Sequence, residues 1–245
     1  MPSFSIAHAN VNRLNYHFNE VKQKLISENY DVFALTEAFL TDETPDSLLY
    51  VDGYTVIRND REDKGGGGVA IYLCETLKIR FLAKSEPSYD NTPEYMILDI
   101  DSSYQSLLLA AVYMRPHCTQ VASFFTTLSI FSNKYNHIVL TGDFNHNLLA
   151  SNNSEITRFR KHVENLSLCI VPSEPTHHPM TKDGVKHTWL DLFIVDKLNS
   201  VVNYCNSTTP FIIAHDLIEI NYKFFKPPAI IRSFTSRHLN RINDE

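Results

Sequence analysis

Features that would place the chain quickly in a function class are scarce, and each absence excludes something. Only four cysteines occur, Cys74, Cys118, Cys169 and Cys205, all far apart. No Cys-x-x-Cys pair exists, so zinc-ribbon and dithiol redox chemistry have no anchor. Buried, reduced thiols in an intracellular protein are the expectation. No apolar run approaches the roughly 20 residues that cross a bilayer. Met1 to Asn10 also lacks the basic start and apolar stretch of a secretory leader, so a soluble chain without membrane contact is expected. Positive charge is in deficit, 22 Lys and Arg against 28 Asp and Glu, for a net charge of -6. That argues against a surface that coats nucleic acid everywhere. A local basic patch stays compatible with it, because a polyanion is steered by the field near a site. Of only seven glycines, four are consecutive, Gly65 to Gly68. They precede an apolar run instead of opening a helix, and no Gly-Lys-Ser/Thr follows, so a phosphate-cradling loop is excluded. Repeats and low-complexity segments are absent.

The chain does have 245 residues with 43% hydrophobic content, enough for one large core without staples. Period-2 or continuously apolar runs predict strands at 3–10, 30–36, 52–58, 69–73, 78–82, 94–100, 106–113, 137–143, 168–171, 188–195, 201–205 and 217–222. Three amphipathic helices are predicted between them. The first is capped by Asn12 and carries Leu14, Phe18, Val21 and Leu25. The second is capped by Thr119 and carries Val121, Phe124, Phe125, Leu128 and Phe131. The third starts at Ser154 and carries Ile156, Phe159, Val163 and Leu166. Strands outnumber helices and the helices fall between strand groups, which fits two sheets packed face to face with helices outside. From Lys226 the composition turns to prolines and arginines, so residues 1–225 read as one domain and 226–245 as a basic linker or tail.

The stretch that organises the chain is His137-Ile-Val-Leu-Thr141-Gly-Asp143-Phe-Asn145. An apolar, β-branched run ends in Gly142, and a carboxylate and an amide follow two residues apart. Strand periodicity puts both on one face at a sheet edge. Other chemistry-bearing side chains also stand where apolar runs end: Asn10 after the first strand, Glu37 after the second and Tyr113 before Pro116. Asp191 is the single charge inside its apolar run, so it should be buried and needs a partner.

Together these motifs resemble the endonuclease/exonuclease/phosphatase superfamily, and more narrowly the apurinic/apyrimidinic-type endonuclease domain of LINE-type (non-LTR) retrotransposons. The resemblance spans Ser3 to Tyr222. It is carried in order by Ala9-Asn10-Val-Asn12-Arg-Leu14, Leu35-Thr-Glu37-Ala-Phe-Leu40, Gly66-Gly-Gly-Val-Ala-Ile-Tyr72, Val112-Tyr113-Met-Arg-Pro116, Thr141-Gly-Asp143-Phe-Asn145, Pro175-Thr176 and Thr188-Trp-Leu-Asp191-Leu. It implies an α/β (α+β) fold of the deoxyribonuclease I type, a four-layer sandwich of two mainly antiparallel sheets flanked by helices. It also implies Mg²⁺, with Mn²⁺ as an alternative, held by Glu37 with support from Asn10. Asp143 would position or deprotonate the attacking water, Asn145 would hold the phosphate, and Tyr113 would donate to a phosphate oxygen. His215 would contact the scissile phosphate while paired to Asp191. Thr176 and Thr188 are implied as phosphate or supporting contacts. Arg13, Arg58, Arg61, Lys64 and Arg115 are candidates for the rim, and His177, His178 and His187 are expected as solvated loop residues.

The implied substrate is double-stranded DNA, nicked in the nucleus to leave a 3′ hydroxyl. The implied context is a polyprotein that continues into a reverse transcriptase. The family's last motif, Ser-Asp-His, is where the chain departs: His215 is preceded by Ala214 and followed by Asp216, which could substitute only if the loop backbone shifts. A catalytically weakened nucleic-acid-binding domain and another superfamily phosphodiesterase therefore stay open as alternatives.

Overall fold

A computed structural model describes residues 3–61, 66–87, 91–102, 104–150 and 153–225. The expected tail, 226–245, and Lys64 lie outside the described residues. In chain order the elements are β1 (Phe4–Asn10), α1 (Leu14–Glu28), β2 (Val32–Thr36), β3 (Tyr54–Asn59), β4 (Val69–Cys74), β5 (Lys78–Lys84), β6 (Glu94–Asp101), β7 (Ser106–Tyr113), α2 (Val121–Ser132), β8 (His137–Asp143), α3 (Ser154–Asn165), β9 (Cys169–Ile170), β10 (Met180–Thr181), β11 (Gly184–Val185), β12 (Asp191–Val195), β13 (Val201–Ser207) and β14 (Leu217–Tyr222). No helix among the described residues is long and apolar enough to cross a membrane.

Two six-stranded sheets form, in the orders β13-β14-β1-β2-β4-β3 and β5-β6-β7-β8-β12-β9, with β10 and β11 as a separate hairpin. Among the described residues only β1–β2 and β7–β8 are parallel pairs. A parallel pair needs a long crossover, and α1 and α2 are those crossovers. Each strand turns alternate residues to opposite faces, so three apolar layers result. Ala7, Ala9, Phe33 and Leu35 pack under Leu14, Val21 and Leu25 of α1. Leu108, Ala110 and Leu140 pack under Phe124, Leu128, Phe159 and Val163 of α2 and α3. Between the sheets lie Phe4, Ile6, Val32, Ile71, Leu98, Leu109, Val139, Phe193 and Ile220. Each such side chain contributes about 1.5–3 kcal/mol by leaving water. The four-layer sandwich expected from the sequence is the fold.

The middle layer is not apolar throughout. On its inward face β1 reads Phe4, Ile6, His8, Asn10, while β2 reads Val32, Ala34, Thr36 and β8 reads Val139, Thr141, Asp143. β12 runs the other way and begins at Asp191. One end of the sandwich interior thus changes from hydrocarbon to polar groups, and the site lies there. Gly142 is needed for this packing: at φ +150°, a Cβ would meet the Val112 carbonyl oxygen at 1.8 Å.

Local expectations needed adjustment. The first helix is capped by Arg13 and the second by Gln120, neither through its side chain, in place of Asn12 and Thr119. At α1, the amides of Arg13 and Leu14 are satisfied across the turn by the carbonyls of Glu37 and Ala38, so no side-chain cap is required. The third helix does begin at Ser154, with Asn153 accepting from the Glu155 amide at 2.8 Å. The strand expected from Thr188 begins only at Asp191, because Thr188 pairs with His177 in an isolated bridge. Of the four cysteines, all free, only Cys118 is buried, and Cys205 is exposed on β13.

Candidate active site

Strand ends deliver the site. The chain leaving β1 is tied to the chain leaving β2 by Val11, Arg13 and Leu14 amides donating to the carbonyls of Thr36, Glu37 and Ala38 at 3.0, 2.9 and 3.0 Å. This brings Asn10 against Glu37, which has a left-handed φ of 50°. The buried Asn10 amide donates to Glu37 Oε1 at 3.1 Å and to Asp143 Oδ2 at 2.9 Å, bridging the two sheets. The Tyr113 hydroxyl donates to the same Glu37 oxygen at 3.1 Å. Asp143 also accepts from the backbone and side-chain amides of Asn145, each at 3.0 Å, and the Asn145 side chain donates to the Met114 carbonyl at 2.8 Å. Asn145 does lie beside Asp143, but not by strand alternation. The strand stops at Asp143, and Asn145 folds back at φ 50°.

Opposite Asp143 in the β8–β12 register stands Asp191. His215 Nδ1 donates to Asp191 Oδ2 at 2.9 Å, and the Thr176 hydroxyl donates to the same oxygen at 2.9 Å while accepting from the Asp191 amide. The lone charge of the apolar run has its partner. Burial works against charge on both members of this pair, yet each stabilises the other. The Asp191 carboxylate is held below its ordinary range by the His215 charge, and His215 is raised to about 9 by Asp191. Asp143 moves the other way: burial, then the Asp191 charge, pushes it well above the usual carboxylate range. Burial, then the charge of Glu37, raises the Tyr113 phenol, which stays a hydrogen-bond donor.

Residues 7–189 match the model of the endonuclease/exonuclease/phosphatase family. The chain belongs to that family. No curated protein matches it. Among solved structures it is similar to the endonuclease domain of TRAS1, a telomere-specific non-LTR retrotransposon, at 13% identity and a TM-score of 0.73 over 91% of this chain and 100% of that one. The AP endonuclease LMAP from Leishmania major is similar at 16% identity and a TM-score of 0.72, over 91% and 88%. The 3′ phosphatase NExo from Neisseria, bound to a product DNA hairpin, is similar at 16% identity and a TM-score of 0.68, over 90% and 100%. Identities this low establish the shared fold and nothing finer.

The polar cluster crowns one end of the sandwich. Two groups here could take up a metal. Ligand atoms of Asp143, Asp191 and His215 lie within 4.8 Å of one another. However, His215 holds its proton on Asp191, so its ring is a donor there. The Glu37 carboxylate, an oxygen donor steadied by the Asn10 amide, suits a hard divalent cation better.

The remaining expected residues divide. Thr176 is fully buried and committed to Asp191, and Thr188 is buried with its hydroxyl 2.8 Å from His177 Nδ1, so both support other side chains. His177 and His178 are not solvated loop residues. The His177 ring lies 4.3 Å from that of His215, and burial, then the His215 charge, lowers it to about 4. His178 Nε2 lies 3.1 Å from Asp216 Oδ2, and its Nδ1 2.8 Å from the exposed His187. Asp216 therefore turns to His178. Arg13 is exposed, its guanidinium over the rings of Tyr16 and Phe39, and Arg115 is partly buried just after Met114.

Arg58 and Arg61, expected at the rim, are both held in ion pairs. Arg58 pairs with Asp46 and Asp60. Arg61 is buried, its Nε donating to Glu94 at 2.9 Å, with its guanidinium 6.0 Å from the Tyr113 ring. Gly67 makes room for it, since a Cβ there would lie 2.3 Å from the guanidinium. Glu94 also accepts from the Gly68 amide at 2.7 Å, so Gly67 and Gly68 are fitted against the Arg61–Glu94 pair. Sequence reasoning missed Glu94 and His8. Both could be found from inward-face alternation, Glu94 before Met96 and Leu98 and His8 between Ile6 and Asn10.

Proposed function

We propose that the chain is a divalent-metal-dependent DNA endonuclease that nicks one strand of duplex DNA and leaves a 3′ hydroxyl. By this reading it acts in the nucleus, where that hydroxyl would prime reverse transcription of a retroelement. The observation that carries the reading is the convergence of Glu37, Asn10, Tyr113, Asp143, Asn145 and the Asp191–His215 pair at one end of the sandwich. Glu37, with support from Asn10, would hold Mg²⁺ or Mn²⁺, which when bound supplies positive charge to phosphate oxygens.

The chain's own residues do the rest. Asp143, raised toward neutrality by burial, suits the general base that accepts a proton from the attacking water. The Asn145 and Asn10 amides fix its carboxylate, so the water is held in one direction. His215, kept cationic by Asp191, places a donor and a positive charge where negative charge develops on phosphorus-bound oxygen. Tyr113 adds a neutral donor. TRAS1 and the DNA-bound NExo supply the analogy for a DNA substrate.

The test uses supercoiled plasmid with Mg²⁺. Conversion to the nicked circle is expected, it should stop on chelation, and Asp143→Ala should abolish it. The nick should be extended by a polymerase without prior phosphatase treatment. Equal behaviour of wild type and Asp143→Ala would refute the reading. Ala214 supports a second reading, a domain that retains DNA with weakened cleavage; retention without nicking in the same assay would select it.

A further inference from the structure

His8 has no role in the scheme above, yet it is fully buried beneath it. It sits on the inward face of β1, two residues before Asn10. Its Nε2 lies 3.1 Å from the hydroxyl of Thr36, the residue before Glu37. Its Nδ1 lies 3.8 Å from Asp191 Oδ1 in the other sheet. Neither of these last two atoms has a hydrogen-bond partner, although both are shielded from water. A buried polar atom without a partner is costly, and here two of them face each other across the sheet interface.

We propose that His8 is a positioning residue: its Nδ1–H faces Asp191 Oδ1 and holds the Asp191–His215 pair in register with the Asn10–Glu37 half of the site. Chemistry selects that tautomer. With the proton on Nε2, a lone pair on Nδ1 would confront the carboxylate. With it on Nδ1, the ring donates toward Asp191 and accepts from the Thr36 hydroxyl, so both nitrogens are used. Full burial disfavours a second proton on the ring. Asp191 Oδ2 is already shared by His215 and Thr176. His8 is thus the group that steadies the second oxygen, and with it the direction in which the carboxylate presents His215 to the phosphate. The effect on turnover rests on the endonuclease reading, while the tautomer does not.

Two substitutions separate the ring's two contacts. In His8→Asn the side-chain amide replaces Nδ1, and in His8→Gln it replaces Nε2. His8→Asn is expected to keep kcat for plasmid nicking within about threefold. His8→Gln is expected to lose about ten- to a hundredfold in kcat with KM little changed, as for other groups that orient a site from behind. Thermal unfolding of both variants establishes that they fold. In wild type, ¹⁵N NMR should report the Nδ1–H tautomer for His8, and Asp191→Asn should shift that equilibrium. A wild-type Nε2–H tautomer, or a His8→Gln enzyme with full kcat beside a crippled His8→Asn, overturns the proposal. If the wild type does not nick DNA, the function reading falls and the tautomer alone decides the role of His8.

Discussion

Asp143 and Asp191 stand opposite each other on paired strands, both buried, and yet they behave in opposite ways. Asp143 is held by amides, which carry no charge to offset its own, so burial pushes it toward the neutral form. Asp191 is held by an imidazolium and a hydroxyl, and stays ionised. Their neighbours teach that two carboxylates in one low-dielectric pocket are given different tasks by what surrounds them. One is poised to exchange a proton, and the other is a fixed countercharge.

The largest test of this contrast is catalytic. Asp143→Asn should cost about a thousandfold or more in nicking rate while leaving stability within about 1 kcal/mol, because it removes a carboxylate that burial already opposes. Asp191→Asn should cost rate and stability together, roughly 3–5 kcal/mol in urea unfolding, since it strands a buried cation. It should also drop His215 from about 9 toward its ordinary value or below, readable by NMR titration. Equal stability losses in the two variants would erase the distinction.

Acidity separates the two histidines that flank Asp191. His8 has a folded value near 4 against an ordinary 6.5, so its contribution is full above about pH 6.5 and is lost as pH falls toward 4. For a fully buried ring that is on the order of 3 kcal/mol. His215, raised to about 9, has the reverse sign: its contribution is full below about pH 6.5 and disappears as pH rises through 9. Asp143, raised by burial and then by the Asp191 charge, contributes the opposite slope on the acid side, so each histidine is read from the difference between its variant and wild type. His8→Asn should flatten the acid limb and His215→Asn the alkaline one. Any other pairing of variant and limb contradicts the assignment.

The smallest effect concerns the loop beside His215. Ala214 has a left-handed φ of 63°, which aspartate tolerates better than alanine, and Asp216 is engaged with His178. Ala214→Asp should raise the nicking rate a few-fold, on the order of 1 kcal/mol of barrier. An unchanged rate would show that the missing carboxylate has no task here.

Much of this was legible in order along the chain. Alternation and apolar runs determined the strands, three helices between strand groups implied the covered sandwich, and the polar residues ending those runs, Asn10, Glu37, Tyr113 and Asp143, identified the site's main members. A lone aspartate in an apolar run also required a buried partner. The tertiary structure decided what depends on packing between distant segments. It set Asn145 beside Asp143 by a left-handed turn, committed Thr176 to Asp191 and Asp216 to His178, and made Arg61 a buried neighbour of Tyr113. It also placed His8 under Asp191 across the two sheets. Local pattern encodes which face a residue takes, whereas protonation and partnership depend on what the opposite sheet brings within a few ångströms, and no spacing along one strand contains that.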